Sequence, residues 1–147
     1  MTTSIYDQLR ERWINGGISV NPGVAKEVLN TFQEKRNLNL PEEFKDYLST
    51  VNGMMNGIVD ENLIAFLSLD RIDDETNLIE VSPNVVDVTF AEYSLYCHWY
   101  VLRASRLGDQ LGLFVADRER EKRLANSFGE FVIKYLTHPL PLLRLES

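Results

Sequence analysis

The residues best equipped for chemistry are carboxylates, and they crowd into one stretch. Between residues 41 and 100, twelve Asp and Glu stand against Lys45 and Arg71, a balance of -10 in a chain whose formal net charge is -7. Paired carboxylates act as general acid and base when their surroundings drive their pKa values apart. Spacing alone does not say which pair would face a cleft. The run Asp70-Arg71-Ile72-Asp73-Asp74-Glu75 has a calcium loop's composition. It lacks the alternating oxygen ligands, the central glycine and the closing glutamate, so no metal is expected there.

Nucleophilic and zinc chemistry fare no better. Cys97 and His98 supply a thiol and an imidazole, but neighbours on a strand point to opposite faces and cannot share a metal or a proton. Cys97 reads as a small buried hydrophobe, His98 as a core or edge residue, and His138, beside a proline, as a surface residue. No Gly-x-Ser-x-Gly elbow occurs. Asn52-Gly53-Met54-Met55-Asn56-Gly57 contains glycine but lacks the Gly-Lys-Ser/Thr of a phosphate loop. No catalytic, cofactor-binding or metal-ligating residue is therefore expected, and the chain does not read as an enzyme.

The charge balance narrows the partners. An acidic protein is repelled by nucleic acid and by anionic membrane, so neither is an expected partner. The basic residues Arg103, Arg106, Arg118, Arg120, Lys122 and Arg123 have no regular aromatic interleaving to suit phosphate contact. One cysteine permits no internal disulfide. No apolar run approaches the roughly 20 residues a membrane helix needs, and no signal peptide is apparent, so a cytoplasmic location is expected.

The elements that would position these residues are legible from periodicity and punctuation. Ser4-x-x-Asp7 followed by Ile5, Leu9 and Trp13 predicts a capped helix over residues 5–13, stopped by Asn15-Gly16-Gly17. Asn21-Pro22-Gly23 predicts a turn. Val24, Val28, Leu29 and Phe32 predict a second helix over 24–35. Leu40-Pro41-Glu42-Glu43 opens a third: proline suits the first turn, and the two glutamates complement the positive end of the helix dipole. Phe44, Tyr47, Leu48 and Val51 form its apolar stripe, and Asn52-Gly53 should end it.

Beyond residue 53 the period shortens. Strands are expected at 63–69, 78–81, 85–90, 96–102 and 111–116, with a turn at Gly108-Asp109. Arg118–Arg123 reads as a charged loop. Ser127-x-x-Glu130 predicts the cap of a last helix ending near Thr137, where His138-Pro139 forbids continuation. The apolar tail Leu142-Leu143-Arg144-Leu145 reads as packed on the domain. At 147 residues, with no linker or repeat, a single domain is expected.

Two of these segments carry a resemblance. Phe32-Gln33-Glu34-Lys35-Arg36-Asn37-Leu38-Asn39-Leu40-Pro41-Glu42-Glu43-Phe44-Lys45-Asp46-Tyr47-Leu48, ending in Asn52-Gly53, resembles the opening signature of the SUKH superfamily. Ala125-Asn126-Ser127-Phe128-Gly129-Glu130-Phe131 is similar to its final helix. The likeness spans about residues 24–137. It implies an α+β fold with N-terminal helices and a C-terminal helix beside a mostly antiparallel sheet. It also implies a non-catalytic protein that binds other proteins, as bacterial toxin-immunity proteins and fungal cell-wall-synthesis regulators do.

Joined to the acidic middle, the resemblance gives a leading expectation: an immunity protein that neutralises a basic toxin domain, such as a nuclease, through an acidic surface. Asp60, Glu61, Asp70, Asp73, Asp74 and Glu75, in the loops around the first expected strand, are the candidate contacts. Two alternatives stand beside it, a regulator of a resident intracellular partner and a small ligand-binding or carboxylate-based enzyme.

Overall fold

The computed structural model describes residues 4–93 and 98–137. Cys97, His138, the tail 138–147 and the start of the strand expected from Tyr96 lie outside the described residues.

The three N-terminal helices form where the apolar spacing places them. Helix α1 (Ile5–Asn15) starts on Ser4, whose hydroxyl accepts from the Asp7 N–H at 3.1 Å, and buries Tyr6, Leu9 and Trp13. Helix α2 (Lys26–Arg36) buries Leu29 and Phe32. Val28, expected on the same face, is half exposed. Helix α3 (Glu42–Thr50) buries Phe44, Tyr47 and Leu48, with Pro41 at its N-cap, one position before its first turn.

Asn52-Gly53 does not cap α3. The helix stops at Thr50 and runs directly into strand β2 (Val51–Met54), which pairs antiparallel with β1 (Val20–Pro22) where only a turn was expected. Gly53 answers a different demand. Its φ is +64°, and a Cβ there would stand 2.5 Å from the Leu67 carbonyl oxygen. Glycine lets two backbones approach within a distance that no side chain allows.

The main sheet is antiparallel throughout. Strand β5 (Val85–Tyr93) is flanked on one side by β3 (Ile64–Phe66) and β4 (Leu78–Ser82), end to end. On its other side follow β6 (His98–Ser105), β7 (Gln110–Ala116) and β8 (Glu121–Ala125). A single turn of helix, α4 (Leu69–Ile72), joins β3 towards β4, and helix α5 (Phe128–Thr137) closes the described chain. The α+β architecture matches the expectation.

Strand β8 corrects one reading. By charge Glu121, Lys122 and Arg123 read as part of a loop, yet they pair with Ala116, Val115 and Phe114. An edge strand tolerates charge because one side meets water, and charge there discourages edge-to-edge association. A register shift in β7 also turns Leu111 outward, 41% exposed, although it alternates with buried Leu113 and Val115 in sequence.

Among the described residues, the helices and the aromatic core pack against one face of the main sheet. Phe128 of α5 lies at the centre of that core, with ring centroids 4.9 Å from Tyr47, 5.0 Å from Phe44 and 5.2 Å from Phe90. Ser127 caps α5 by accepting from the Glu130 N–H at 3.1 Å. Gln110 of β7 ties α5 to α3: its side-chain oxygen accepts from the Phe128 N–H and its amide donates to Glu43.

Candidate functional site

The six predicted contact residues fall in two separate stretches of the chain. Asp60 and Glu61 precede β3, while Asp70, Asp73, Asp74 and Glu75 occupy α4 and the turn that leads to β4.

Asp60 is 4% exposed. Its Oδ1 accepts from the Asn62 and Ile64 N–H groups at 2.8 and 2.9 Å, and its Oδ2 accepts from the Tyr135 hydroxyl at 2.5 Å. The Tyr135 oxygen in turn accepts from Trp13 Nε1 at 2.9 Å. Burial, with the neighbouring Asp60 carboxylate second, raises the Tyr135 phenol far above its ordinary value. A carboxylate consumed in this way is a structural post that joins the β2–β3 turn to α5 and α1, and it leaves no surface for a partner.

Asp73 is also occupied. It holds Lys35 at 3.0 Å and Arg36 at 2.5 Å, which fastens the end of α2 to the segment after α4. Partial burial disfavours the charged form, but hydrogen bonds from both cations outweigh it and keep the carboxyl below its usual range. Asp74 organises its own turn by accepting from the Thr76 N–H and hydroxyl at 2.7 and 2.8 Å, bonds that lower its pKa. Its side chain remains in solvent, as do Glu61, Asp70 and Glu75. None of these four is in an ion pair among the described residues.

Sequence reasoning missed a second surface. The face of the main sheet turned away from the core carries a groove of about 700 Å³, and no residue of the described helices lines it. Its floor follows from register, since residues directly opposite one another point to the same side. Three cross-strand rows build it. The first runs Ala65, Glu92, Trp99, Ala116, Glu121. The second runs Thr89, Val101, Phe114, Arg123. The third runs Ile79, Asp87, Arg103, Gly112.

Arg103 organises the middle of this face. Its guanidinium pairs in two-pronged fashion with Asp87 at 2.7 and 3.0 Å and with Glu121 at 3.0 and 2.9 Å. It also lies 4.4 Å from the Phe114 ring centroid, with the Arg123 guanidinium at 5.0 Å. These contacts are cation–π interactions of guanidinium on an aromatic face. Hydrogen bonds from Arg103 depress the Glu121 carboxyl, and those from Asp87 and Glu121 raise the guanidinium further above its already high value. Gly112 leaves room for Arg123, whose Nη1 would stand 2.4 Å from a Cβ there.

The signal for this face was present in the sequence as apolar residues at consecutive positions. Trp99, Tyr100, Val101 and Leu102 cannot all serve one core, because a strand alternates sides. Tyr100 and Leu102 enter the core, while Trp99 and Val101 form the groove floor. Among the described residues, no group of three or more His, Cys, Asp or Glu is placed to hold a metal ion. Nor is any helix of the described residues long and apolar enough to cross a membrane.

The family described as SMI1 / KNR4 (SUKH-1) matches residues 23–134, most of the chain. No curated protein matches it significantly.

Proposed function

Because the chain belongs to the SMI1/KNR4 family (SUKH-1), we propose that it is a non-catalytic protein-binding domain that neutralises a toxin domain by direct contact. The observation that carries this reading is the acidic segment left exposed by the fold. Glu61, Asp70, Asp74 and Glu75 keep their charge facing solvent, while Asp60 and Asp73 are committed internally. A domain that attacks nucleic acid must attract phosphate and is therefore basic. An acidic inhibitor meets it with complementary potential, which accelerates encounter and orients it.

Co-expression with the toxin domain encoded beside its gene tests the reading. Cells should survive with this protein and die without it. Asp74→Lys together with Glu75→Lys should slow association about tenfold at low salt and flatten its salt dependence. Asp70→Ala should weaken the complex without slowing folding. Absence of a neighbouring toxin, or failure to protect, would count against neutralisation. An unchanged association rate in the charge-reversed variant would remove the turn before β4 from the interface.

A further inference from the structure

Of the apolar stripe of α2, Leu29 and Phe32 are buried while Val28 is 51% exposed. Helix α4 is a single turn, and the segment after it is fastened to α2 where Asp73 holds Lys35 and Arg36. Val28 stands seven residues before Lys35, about two turns away on the same face. A groove of about 330 Å³ remains between the two helices, lined by Glu27, Val28 and Thr31 of α2 and by Leu69 and Asp70 of α4. Its charges do not cancel. Lys35 and Asp73 also reach it, but they satisfy each other. Glu27 and Asp70 are exposed and in no ion pair among the described residues. Lys26 and Arg71, their cationic neighbours in sequence, do not line the groove. The outer face of the sheet differs, because Asp87 and Glu121 are both held there by Arg103.

We infer that the groove between α2 and α4 seats a Lys or Arg side chain of the partner protein, its methylene stem along Val28 and its charged head meeting Glu27 and Asp70. The combination fits that kind of side chain. A compact cation gains nothing from Val28, and a purely apolar side chain would strip water from two carboxylates without supplying a counter-charge. Lys and Arg bury an aliphatic stem on apolar surface while the head keeps polar company. The inference deepens the proposed function by naming one contact on the acidic surface, to which Asp70 belongs, and it rests on that reading only for the partner's identity.

The probe is n-propylguanidinium, which reproduces the arginine side chain from Cβ outward. It is titrated into the full chain at constant ionic strength while backbone amide and methyl shifts are followed. N-propylurea serves as its neutral isostere, and methylguanidinium as the charged head without the stem. Propylguanidinium should move the Val28 methyls and the amides of Thr31 and Asp70, and it should bind about fivefold tighter than either control. Glu27→Gln/Asp70→Asn should abolish its preference over N-propylurea, and Val28→Ser its preference over methylguanidinium. All three positions are exposed, so thermal unfolding of these variants should stay close to that of the parent.

Equal binding of propylguanidinium and N-propylurea, or a preference untouched by Glu27→Gln/Asp70→Asn, would overturn the inference. So would shifts as large at Glu61 and Glu75 as in the groove, which would make the probe a diffuse counter-ion. Failure of the two readings is separable. Val28→Arg fills the groove with the chain's own cation. Loss of protection against the neighbouring toxin in that variant, with the fold retained, supports the inference. Protection that survives Val28→Arg but not Asp74→Lys/Glu75→Lys leaves neutralisation standing and refutes the groove. Groove-specific binding of propylguanidinium to a chain that protects against no toxin does the reverse.

Discussion

Removing the Asp60 carboxylate should unfold the protein far more readily than removing any of the exposed acids near it. In Asp60→Ala, the Asn62 and Ile64 N–H groups and the Tyr135 hydroxyl all lose their acceptor. Hydrogen bonds to a charged group contribute about 1.5–3 kcal/mol each, and orphaned buried donors keep their desolvation penalty. The three do not add fully, because the cost of burying the carboxylate disappears with it. A loss of about 3–5 kcal/mol is expected, or roughly 6–20 °C in Tm at this chain length. Asp60→Asn keeps an oxygen for the two N–H groups and should cost only about 1–2 kcal/mol. Tyr135→Phe leaves Trp13 Nε1 and Asp60 Oδ2 without that partner and should cost about 1–3 kcal/mol.

Urea unfolding of these variants and of Asp60→Asn/Tyr135→Phe measures the coupling, which should exceed about 0.5 kcal/mol. A loss below about 1 kcal/mol in Asp60→Ala, or strictly additive effects in the double variant, would refute this account. Loss of partner affinity in Asp60→Asn at unchanged stability would return Asp60 to the interface.

Phe128→Ala removes the ring at the centre of the aromatic cluster and should destabilise by about 3–5 kcal/mol, read from the same denaturation curves. Gly53→Ala forces an unfavourable φ and a contact with the Leu67 carbonyl, and should cost roughly 2–4 kcal/mol. A loss under about 1 kcal/mol would show that the β2 backbone relaxes there. Asp73 and Glu121 titrate lower in the fold than free carboxyls do. Their contribution is therefore complete above the unfolded value of about 4 and fades as pH falls through the depressed folded values. Arg36→Met and Arg103→Met should make the acid limb of stability shallower below about pH 4, and an unchanged slope would contradict the pairing.

The elements that the sequence announces are those in which local chemistry and tertiary packing agree. Ser4 and Ser127 announce helix starts because a hydroxyl next to free N–H groups has one evident use. Phe44, Tyr47 and Leu48 announce a buried stripe because only a helix brings them to one face. Agreement fails where a partner distant in sequence decides the outcome. Glu121, Lys122 and Arg123 become a strand because Phe114, Val115 and Ala116 lie beside them, and local composition does not reveal that. Asn52-Gly53 looks like a helix stop, but its glycine serves the approach of Leu67. Among the candidate contacts, Asp60 and Glu61 are adjacent acids with opposite fates. One is buried because Tyr135, on the last helix, meets it; the other is left in water. The outer-face groove is not legible in the sequence because a strand apolar on both sides reads the same whatever its second side meets.

The chain of Trp13, Tyr135 and Asp60 also bears on how the protein is made. Trp13 and Tyr135 are 122 residues apart, and Tyr135 and Asp60 are 75 apart. During synthesis the first helix emerges long before the last, at roughly 5–20 residues per second. Until α5 leaves the ribosome, Trp13 has no acceptor and the pocket that Phe128 fills stands open. The nascent chain therefore spends several seconds with aromatic surface exposed, and its dependence on chaperones should fall once α5 packs onto α1 and α3.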